Sequence, residues 1–480
     1  MIHTLQSVGL FSQGQEALRK VHTHALDLIE TVGIRFHSAR ALEILHGAGA
    51  QVVGPVARIP GHVVEAALKR APGAFTLCAR DPRFDRPLDG QHTYYSQDGC
   101  AALTLDFETG ERRASRREDI ERMARIADAL EPIDVITATV SPRDMPAPGA
   151  PVHGLDACLR NTAKHVITED VASARQARSQ IELGTAVAGG AESLRQRPIF
   201  SNFICTISPL AQDGGGMDAA LEFAAAGVPV GFYSMATAGV TAPVTLPGTL
   251  AVLNAEVISA IAMVQLAYPG AKVFYCGGPA TVDLRTGAYT AASPEALWLR
   301  LMVAELARFY GLPSIVGAGA TSAKLPGAQA AWENTPSFLL PALSGAGLLF
   351  GMGLLHGSNL LAYEELILDA EIGAMVRRIM GEVRFDEEDF AIDLIRQLGP
   401  GGVFIGQRHT ARNMRRALSL PLISDRDTYE EWFNKGGLSR VEVARQKVRE
   451  ILTTHQPLPI PEPTLAVMDE IVAAYSRAED

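Results

Sequence analysis

Short apolar segments rich in β-branched residues alternate with helical patterns along the middle of this chain. The seven strand-like segments are Val135–Val140, His165–Thr168, Phe200–Ile207, Val228–Met235, Lys272–Gly278, Pro313–Ala318 and Gly347–Gly351. The helical patterns between them are Asp156–Thr162, Ser173–Ala188, Met217–Ala226, Leu246–Ala267, Pro294–Tyr310 and Pro326–Leu343. Strands that alternate with helices predict βαβ units and therefore a parallel sheet.

The number of these units favours a closed barrel over an open, doubly wound sheet. The sequence has no early G-x-G-x-x-G motif, which marks the dinucleotide-binding form of the open sheet. Closure needs an eighth strand, for which the candidates are Thr93–Gln97 and a segment near Gly402–Ile405. The predicted fold class is α/β: a TIM (β/α)8 barrel with N-terminal and C-terminal helical extensions. An open sheet with a second domain is the alternative.

The barrel is assigned to residues 91–360, between an N-terminal extension at 1–90 and a C-terminal helical region at 361–480. The N-terminal extension contains the patterns Gly14–Val32, Ala39–Gly47, Gly61–Arg70 and Phe75–Ala79. The C-terminal helices are predicted at Tyr363–Met380, Glu387–Leu398, Ser439–Thr454 and Thr464–Ala478. The proline-rich segment Gln456–Pro463 is predicted to be an extended connector.

Composition excludes several classes of protein. Apolar residues make up 47% of the chain and charged residues 20%, which is typical of globular proteins. The net charge of −10 argues against a nucleic-acid or anionic membrane partner. Met1–Gly14 lacks the features of a signal peptide, and polar residues interrupt the apolar run Ala251–Tyr268. Five scattered cysteines form neither a disulfide framework nor a CxxC site. We therefore expect a cytoplasmic protein.

Aromatic residues fall near the ends of several predicted strands, where the active site of a TIM barrel lies. An inward-facing set such as Phe203, Tyr233 and Tyr275 would form an aromatic cup suited to a quaternary ammonium group. The alternative is that these rings fill the barrel core. The sequence contains no H-E-x-x-H, paired-histidine or cysteine-knuckle motif and no G-x-S-x-G elbow. It therefore predicts neither a metal site nor a catalytic nucleophile.

A series of short motifs runs in order through nearly the whole chain. The motifs are Leu42–Leu45, Phe75–Pro82, Asp106–Gly110, Asn161–Thr162, Ser208–Leu210, Ala238–Leu246, Asn254–Glu256, Asp283–Ala288, Ser293–Glu295, Ala323–Lys324, Tyr363–Leu366, Leu398–Gly402 and His409–Thr410. In these motifs the chain resembles the trimethylamine methyltransferase superfamily, the corrinoid-protein-dependent methyltransferases of methylated amines.

The resemblance implies a TIM barrel that transfers a methyl group to the cob(I)alamin of a separate corrinoid protein. Family members that act on trimethylamine carry pyrrolysine, which is absent from this sequence. The resemblance therefore implies a quaternary amine substrate such as glycine betaine. The chain also lacks the cobalamin-binding D-x-H-x-x-G motif of corrinoid proteins. We expect no tightly bound cofactor, with cobalamin carried by the partner.

Substrate-binding residues follow from this chemistry. A quaternary amine leaves as a neutral tertiary amine, so the reaction needs positioning and a dry pocket rather than a catalytic side chain. The predicted ammonium cage is Tyr95, Phe203, Tyr233, Tyr275 and Trp332, with Glu333 as countercharge. Asn161 and His356 are predicted to hydrogen-bond a substrate carboxylate, Arg285 to pair with it, and Lys324 to do the same or face the corrinoid.

Two alternatives remain open at this point. Ser322 and Gly327 stand where the family commonly carries acids around Lys324, which motivates a non-catalytic quaternary-amine-binding homologue. A TIM-barrel lyase or hydrolase of other chemistry would need convergent metal ligands at the strand ends. On base rates, a large enzyme of this kind is also expected to be a homo-oligomer.

Overall fold

Eight parallel strands form a closed barrel at the centre of the protein. The computed structural model describes residues 14–169 and 171–476. The barrel strands are β1 Tyr94–Gln97, β2 Val135–Thr137, β3 His165–Thr168, β4 Phe200–Ile207, β5 Val230–Ser234, β6 Val273–Gly277, β7 Ser314–Gly317 and β8 Leu348–Met352. Each strand pairs in parallel with the next, and β8 pairs with β1. The predicted TIM barrel is confirmed.

One long helix follows each barrel strand. These helices are α1 Arg117–Ala129, α2 Ala150–Asn161, α3 Ala174–Ala188, α4 Gly214–Ala226, α5 Leu246–Ala267, α6 Pro294–Tyr310, α7 Ala328–Leu343 and α8 Tyr363–Met380. The periodic pattern of apolar residues predicts all of them except α1. The eighth helix lies beyond residue 360, so the outer layer of the barrel is completed by residues from the C-terminal region.

The first strand of the barrel is Tyr94–Gln97, one of the two candidates for the eighth strand. The other candidate, near Gly402–Ile405, is wrong. This segment is turn and irregular backbone, with Gly399 and Gly401 at φ values of 65° and 82°. Glycines in this left-handed region interrupt the extended backbone that a strand needs.

The N-terminal extension covers one side of the barrel and closes its lower end. Helix Gly14–Asp27 packs on α5 and α6, and helix Gly61–Leu68 packs on α5. The remaining elements before the barrel are the π-helical turn Leu28–Val32, helix Ala39–Gly47 and strands Ile34–Phe36, Gln51–Val53, Val56–Arg58, Phe75–Leu77 and Arg86–Leu88. The last two strands form a hairpin, which we call the plug hairpin.

The plug hairpin fills the barrel at the end where the strands begin. Leu77 and Leu88 are buried in one cluster with interior residues of the barrel such as Ile315 and Leu348. The ring of Phe75 packs edge to face on Phe274, with centroids 5.1 Å apart. The opposite end, where the strands finish, is therefore the end that can admit a ligand.

The C-terminal region is helical, as predicted, and two of its helices pack on the barrel. Its elements after α8 are helices Glu387–Phe390, Ile392–Leu398, Arg408–Ala417, Tyr429–Asn434, Arg440–Thr454 and Glu462–Ser476. The predicted helix Glu387–Leu398 is broken at Ala391, whose φ is 48°. Helix Arg440–Thr454 packs on α1 and α8, and Glu462–Ser476 packs on α2 and α3. Residues 477 and 478 of the last predicted helix lie outside the described residues.

Helix α5 is the most apolar helix that the structure describes. It is long and apolar enough to cross a membrane, but 89% of its most hydrophobic window is buried in the protein. Barrel strands cover it on the inside and the N-terminal extension on the outside. A helix that is apolar on every face is expected where both sides are covered.

Candidate active site at the barrel mouth

Three aromatic rings face one another inside the barrel. They are Phe203 on β4, Tyr233 on β5 and Phe350 on β8, and we call them the aromatic floor. The ring centroids of Phe203 and Tyr233 lie 5.0 Å apart, and Phe350 meets Phe203 edge to face at 5.1 Å. All three side chains are buried. Aromatic rings attract cations through the negative charge of their faces, so this surface is suited to a cationic group.

Two glycines make room for the hydroxyl of Tyr233. A Cβ atom on Gly278 would lie 2.2 Å from Tyr233 Oη, and one on Gly317 would lie 2.3 Å from it. Gly278 directly follows β6 and Gly317 ends β7, so the phenol of Tyr233 extends from β5 towards the ends of these two strands. Burial raises the pKa of Tyr233 well above its ordinary value, and the hydroxyl remains a neutral donor.

Two carboxylates lie at the ends of barrel strands on one side of the mouth. Asp98 directly follows β1, and Glu169 directly follows β3. Glu169 lies against Gly99, where a Cβ atom would be 1.4 Å from Glu169 Oε1. The glycine is therefore required for the close approach of this carboxylate to the end of β1.

Asp98 is held in place from two directions. Its Oδ1 accepts a hydrogen bond from the backbone N–H of Gly99 at 2.9 Å, and its Oδ2 accepts one from the hydroxyl of Ser358. Burial raises the pKa of Asp98 to about 6, while these hydrogen bonds and the charge of Arg300 act in the opposite direction. Asp98 is therefore mostly ionised at neutral pH.

A buried arginine enters the same space from α6. Arg300 is 2% exposed, and its Nε donates to the carbonyl of Pro279 at 3.4 Å. Its guanidinium carbon lies 3.5 Å from the position of a Cβ atom on Gly317, beside the hydroxyl of Tyr233. The mouth therefore brings together carboxylates, a guanidinium and aromatic rings.

Glu256 on α5 fixes the loops that follow β4 and β5. Its Oε2 accepts hydrogen bonds from the hydroxyls of Thr206, Ser208 and Ser234 at 2.7, 2.8 and 2.7 Å. Its Oε1 accepts one from the backbone N–H of Leu210 at 2.9 Å. Burial raises the pKa of this carboxyl and the four hydrogen bonds lower it. Glu256 thus holds one side of the mouth without facing the aromatic floor.

Of the five residues predicted to form the ammonium cage, the structure brings Phe203 and Tyr233 together. Tyr95 and Tyr275 point the other way, towards the helices. The ring of Tyr95 packs on Phe338 of α7, and Tyr275 donates from its hydroxyl to Asn254 of α5 at 2.8 Å. Trp332 lies on α7 with 65% of its surface exposed, outside the barrel interior.

Two of the predicted carboxylate-binding residues lie away from the floor. Asn161 is the last residue of α2, near the end of the barrel that the plug hairpin fills, and its amide donates to Ala157 O. The Arg285 side chain is 89% exposed, in the turn of the hairpin formed by Thr281–Val282 and Tyr289–Thr290. Neither position reaches the aromatic floor in this structure.

Of the three other predicted residues, Lys324 and His356 lie in loops at the rim of the mouth and Glu333 lies on α7 beside the loop after β7. Glu333 accepts hydrogen bonds from the Thr321 hydroxyl at 2.5 Å and from the Ser322 backbone N–H at 2.7 Å. Lys324 donates to the carbonyl of Ser322 at 2.6 Å. The backbone N–H of His356 donates to Ala323 O at 2.8 Å, and its side chain is exposed. Glu333 therefore anchors the loop after β7.

Sequence reasoning missed five residues that the structure places at the mouth. They are Asp98, Glu169, Tyr289, Arg300 and Phe350. Two signals were available: Asp98 and Glu169 each come directly after a predicted strand, and Arg300 interrupts an apolar helical run. No sequence pattern reveals that the hairpin of Tyr289 folds back towards α6.

Comparison with known proteins agrees with this architecture. A family model for trimethylamine methyltransferase (MTTB) matches residues 3–478. Trimethylamine methyltransferase MttB of Desulfitobacterium hafniense is 34% identical over 470 residues, covering 98% of this chain and 94% of the relative. A glycine betaine methyltransferase of the same species is 31% identical over 445 residues, covering 92% of each.

Among solved structures, a hydroxylamine complex of MtmB has the same fold. It superposes with a TM-score of 0.51 and 13% identity, covering 90% of this chain and 87% of that one. The family match spans almost the whole chain, and the barrel agrees with it. The chain therefore belongs to the trimethylamine methyltransferase family, whose members here include methylamine and betaine methyltransferases, and it is a methyltransferase.

Proposed function

We propose that this protein transfers a methyl group from a quaternary amine of the glycine betaine type to the cob(I)alamin of a separate corrinoid protein. The observation that carries the proposal is the aromatic floor together with two carboxylates, Asp98 and Glu169, at the strand ends of the same mouth. Rings and carboxylates together stabilise a fixed positive charge in a space from which water is largely excluded. A cytoplasmic location belongs to the same proposal.

The residues of this chain bind and orient the amine. The aromatic floor contacts the trimethylammonium group, and the ionised Asp98 offsets its charge. A quaternary amine leaves as a neutral tertiary amine, so no side chain has to protonate the leaving group. The cobalt supplies the nucleophile when the partner is bound. The contribution of this chain is therefore to hold one methyl group in line towards the mouth.

The first experiment measures transfer directly. The purified protein is mixed with cob(I)alamin, free or on a corrinoid protein, and methylation of the cobalt is followed by absorbance. Glycine betaine, proline betaine, carnitine, choline and trimethylamine are compared. Transfer from a quaternary amine supports the proposal, and transfer from trimethylamine alone overturns it. Binding of a quaternary amine without any transfer would instead identify a binding homologue.

Loss of a ring from the aromatic floor should weaken binding of a quaternary amine. We expect Phe203→Leu to raise the dissociation constant by a factor that corresponds to about 0.5–2 kcal/mol. The measurement is calorimetric titration. Phe232→Leu is the matched control, because Phe232 lies on β5 but faces the helices. Equal effects of the two substitutions would show that the loss comes from the fold rather than from the site.

Exposed apolar side chains surround the mouth and favour a docking partner there. They lie at the end of β4 and in the loops that follow β5, β6 and β7, and they form what we call the apolar rim: Ile207, Met235, Val240, Val244, Leu284 and Leu325. Leu284 is 95% exposed and Val244 is 70% exposed. Clustered apolar groups of this kind typically mark a protein interaction surface. A corrinoid protein seated on this rim would place its cobalt above the aromatic floor.

A charge on the apolar rim should slow transfer only when the cobalt is carried by a protein. We expect Leu284→Glu combined with Val244→Glu to reduce transfer to a corrinoid protein at least about tenfold, because each charge would lose its water on docking. Transfer to free cob(I)alamin should change less than twofold. Both transfer rates are measured at acceptor concentrations well below saturation. An unchanged rate with the corrinoid protein would place the docking surface elsewhere.

A further inference from the structure

Arg300 reaches the barrel interior through a gap between strand ends. It projects from α6, which begins at Pro294 after its N-cap Ser293. Gly278 and Gly317 line the gap, and a Cβ atom on Gly317 would lie 3.5 Å from the guanidinium carbon. The guanidinium therefore lies beside the hydroxyl of Tyr233, at the edge of the aromatic floor.

The hydrogen-bonding capacity of this guanidinium is not used up within the protein. Its Nη1 is buried and has no hydrogen-bond partner among the described residues. No carboxylate of residues 14–169 or 171–476 forms an ion pair with it within 4.0 Å. A guanidinium carries five N–H donors, and burying it without an anion is strongly unfavourable. An unsatisfied donor of this kind, aimed into a binding site, indicates an anionic ligand group.

The mouth carries charges of both signs. Asp98 and Glu169 follow β1 and β3, whereas Arg300 enters beside the ends of β6 and β7 and is near enough for its charge to lower the pKa of Asp98. Tyr289, in the hairpin after β6, hydrogen-bonds Arg300, and this contact and the positive charge of Arg300 oppose the burial-driven rise in the pKa of that phenol. A ligand that carries a cation and an anion on one small molecule matches these charges.

We propose that Arg300 is the specificity-determining residue of the site and binds a carboxylate of the substrate. This inference rests on the proposed function. It makes the substrates zwitterionic quaternary amines rather than cations without a carboxylate. Guanidinium and carboxylate form paired, charge-assisted hydrogen bonds, which discriminate strongly against an uncharged isostere. The ammonium group would then lie on the aromatic floor on the side of Asp98.

The test compares ligands that differ only in charge, without any methyl acceptor. Glycine betaine, its uncharged amide and choline are titrated into the wild-type protein by calorimetry. We expect glycine betaine to bind at least about tenfold more tightly than the other two. Equal affinities, or no binding of glycine betaine, would overturn the inference. Because the protein is unaltered, this comparison does not depend on the folding of a variant.

Substitution then assigns the preference to Arg300. We expect Arg300→Met to weaken glycine betaine binding about 10- to 100-fold and to leave choline binding unchanged or tighter. Arg300→Lys should recover part of the loss. Arg308→Met is the control, because Arg308 lies on the same helix but is 46% exposed beside Glu305. Equal losses for betaine and choline in Arg300→Met, or loss of the preference in Arg285→Met instead, would refute the role of Arg300.

The two proposals can fail separately. In one outcome the wild-type protein transfers a methyl group from glycine betaine, but Arg300→Met does not change the preference between ligands. The proposed function would then stand, and the role of Arg300 would be refuted. In the other outcome the preference for carboxylated amines depends on Arg300, but no methyl group is transferred to any corrinoid. The role of Arg300 would then stand, and the proposed function would be refuted.

Discussion

Replacing Glu256 by alanine should lower the free energy of unfolding by about 3–5 kcal/mol. The substitution removes the acceptor of three hydroxyls and one backbone N–H, and it leaves a cavity beneath the loops after β4 and β5. Each buried donor left without a partner costs about 1–3 kcal/mol, although hydroxyls can turn towards one another and recover part of it. Denaturant unfolding monitored by circular dichroism measures the change.

Glu256→Gln is the matched variant for this prediction. It keeps the volume and one acceptor oxygen, so we expect it to lose less than half as much stability as Glu256→Ala. Both variants should also bind quaternary amines less well, because Thr206 and Ser234 lie at the edge of the mouth. A loss below about 1 kcal/mol in Glu256→Ala would show that the loops after β4 and β5 are held by other contacts.

A second large effect is expected from a pair of buried carboxyls on α8. The amide of Asn334 donates to Asp369 at 2.8 Å and to Glu365 at 3.4 Å, and the backbone N–H of Gly353 donates to Asp369 at 2.9 Å. Burial raises the pKa of Asp369 to about 7, and burial together with the nearby Asp369 raises that of Glu365 well above its ordinary value. The folded protein therefore binds protons that the unfolded chain releases near pH 4.

Stability should fall as the pH rises from about 4 to about 8, because the folded state gives up these protons only at the higher pH. The expected loss from this pair is about 2–4 kcal/mol. Glu365→Gln removes one of the charges and should make the protein more stable than the wild type at pH 8, with a flatter pH profile. Thermal unfolding across this range measures both effects.

Glu364→Gln provides the control for the pair. Glu364 is the neighbouring residue on α8 and pairs with Arg445 at 3.0 Å. Removing its charge breaks an ion pair, so it should not stabilise the protein at pH 8. A Glu365→Gln variant with the pH profile of the wild type would show that Glu365 does not bind the extra proton in the folded state.

The barrel could be predicted from the sequence because its strands and helices repeat, but the direction of individual side chains could not. Strand alternation requires Tyr94 and Tyr95 to face opposite sides, and likewise Phe274 and Tyr275. The sequence does not say which member faces inwards. Here Tyr94 and Phe274 face the interior and Tyr95 and Tyr275 face the helices, so the predicted cage contained two outward rings.

The charged part of the site was hidden for a different physical reason. Arg285 and Arg300 are 15 positions apart, and both lie near the end of β6. The motif that contains Arg285 is equally consistent with a structural turn, and in the structure the Asp283 carboxylate accepts hydrogen bonds from the backbone N–H groups of Arg285 and Thr286. The structure favours Arg300 because two distant glycines leave room for its side chain. Because the gap is formed by glycines far from Arg300 in the sequence, the residues next to Arg300 in the sequence do not indicate that its side chain reaches the site.

The plug hairpin has a kinetic consequence for the proposed reaction. Leu77 and Leu88 fill the lower end of the barrel, so amine and methyl acceptor share the upper opening. An acceptor protein seated over that opening covers the bound amine and traps the demethylated product beneath it. The reaction should therefore follow a compulsory order, with the amine bound first, and release of the acceptor protein should limit turnover at saturating substrate.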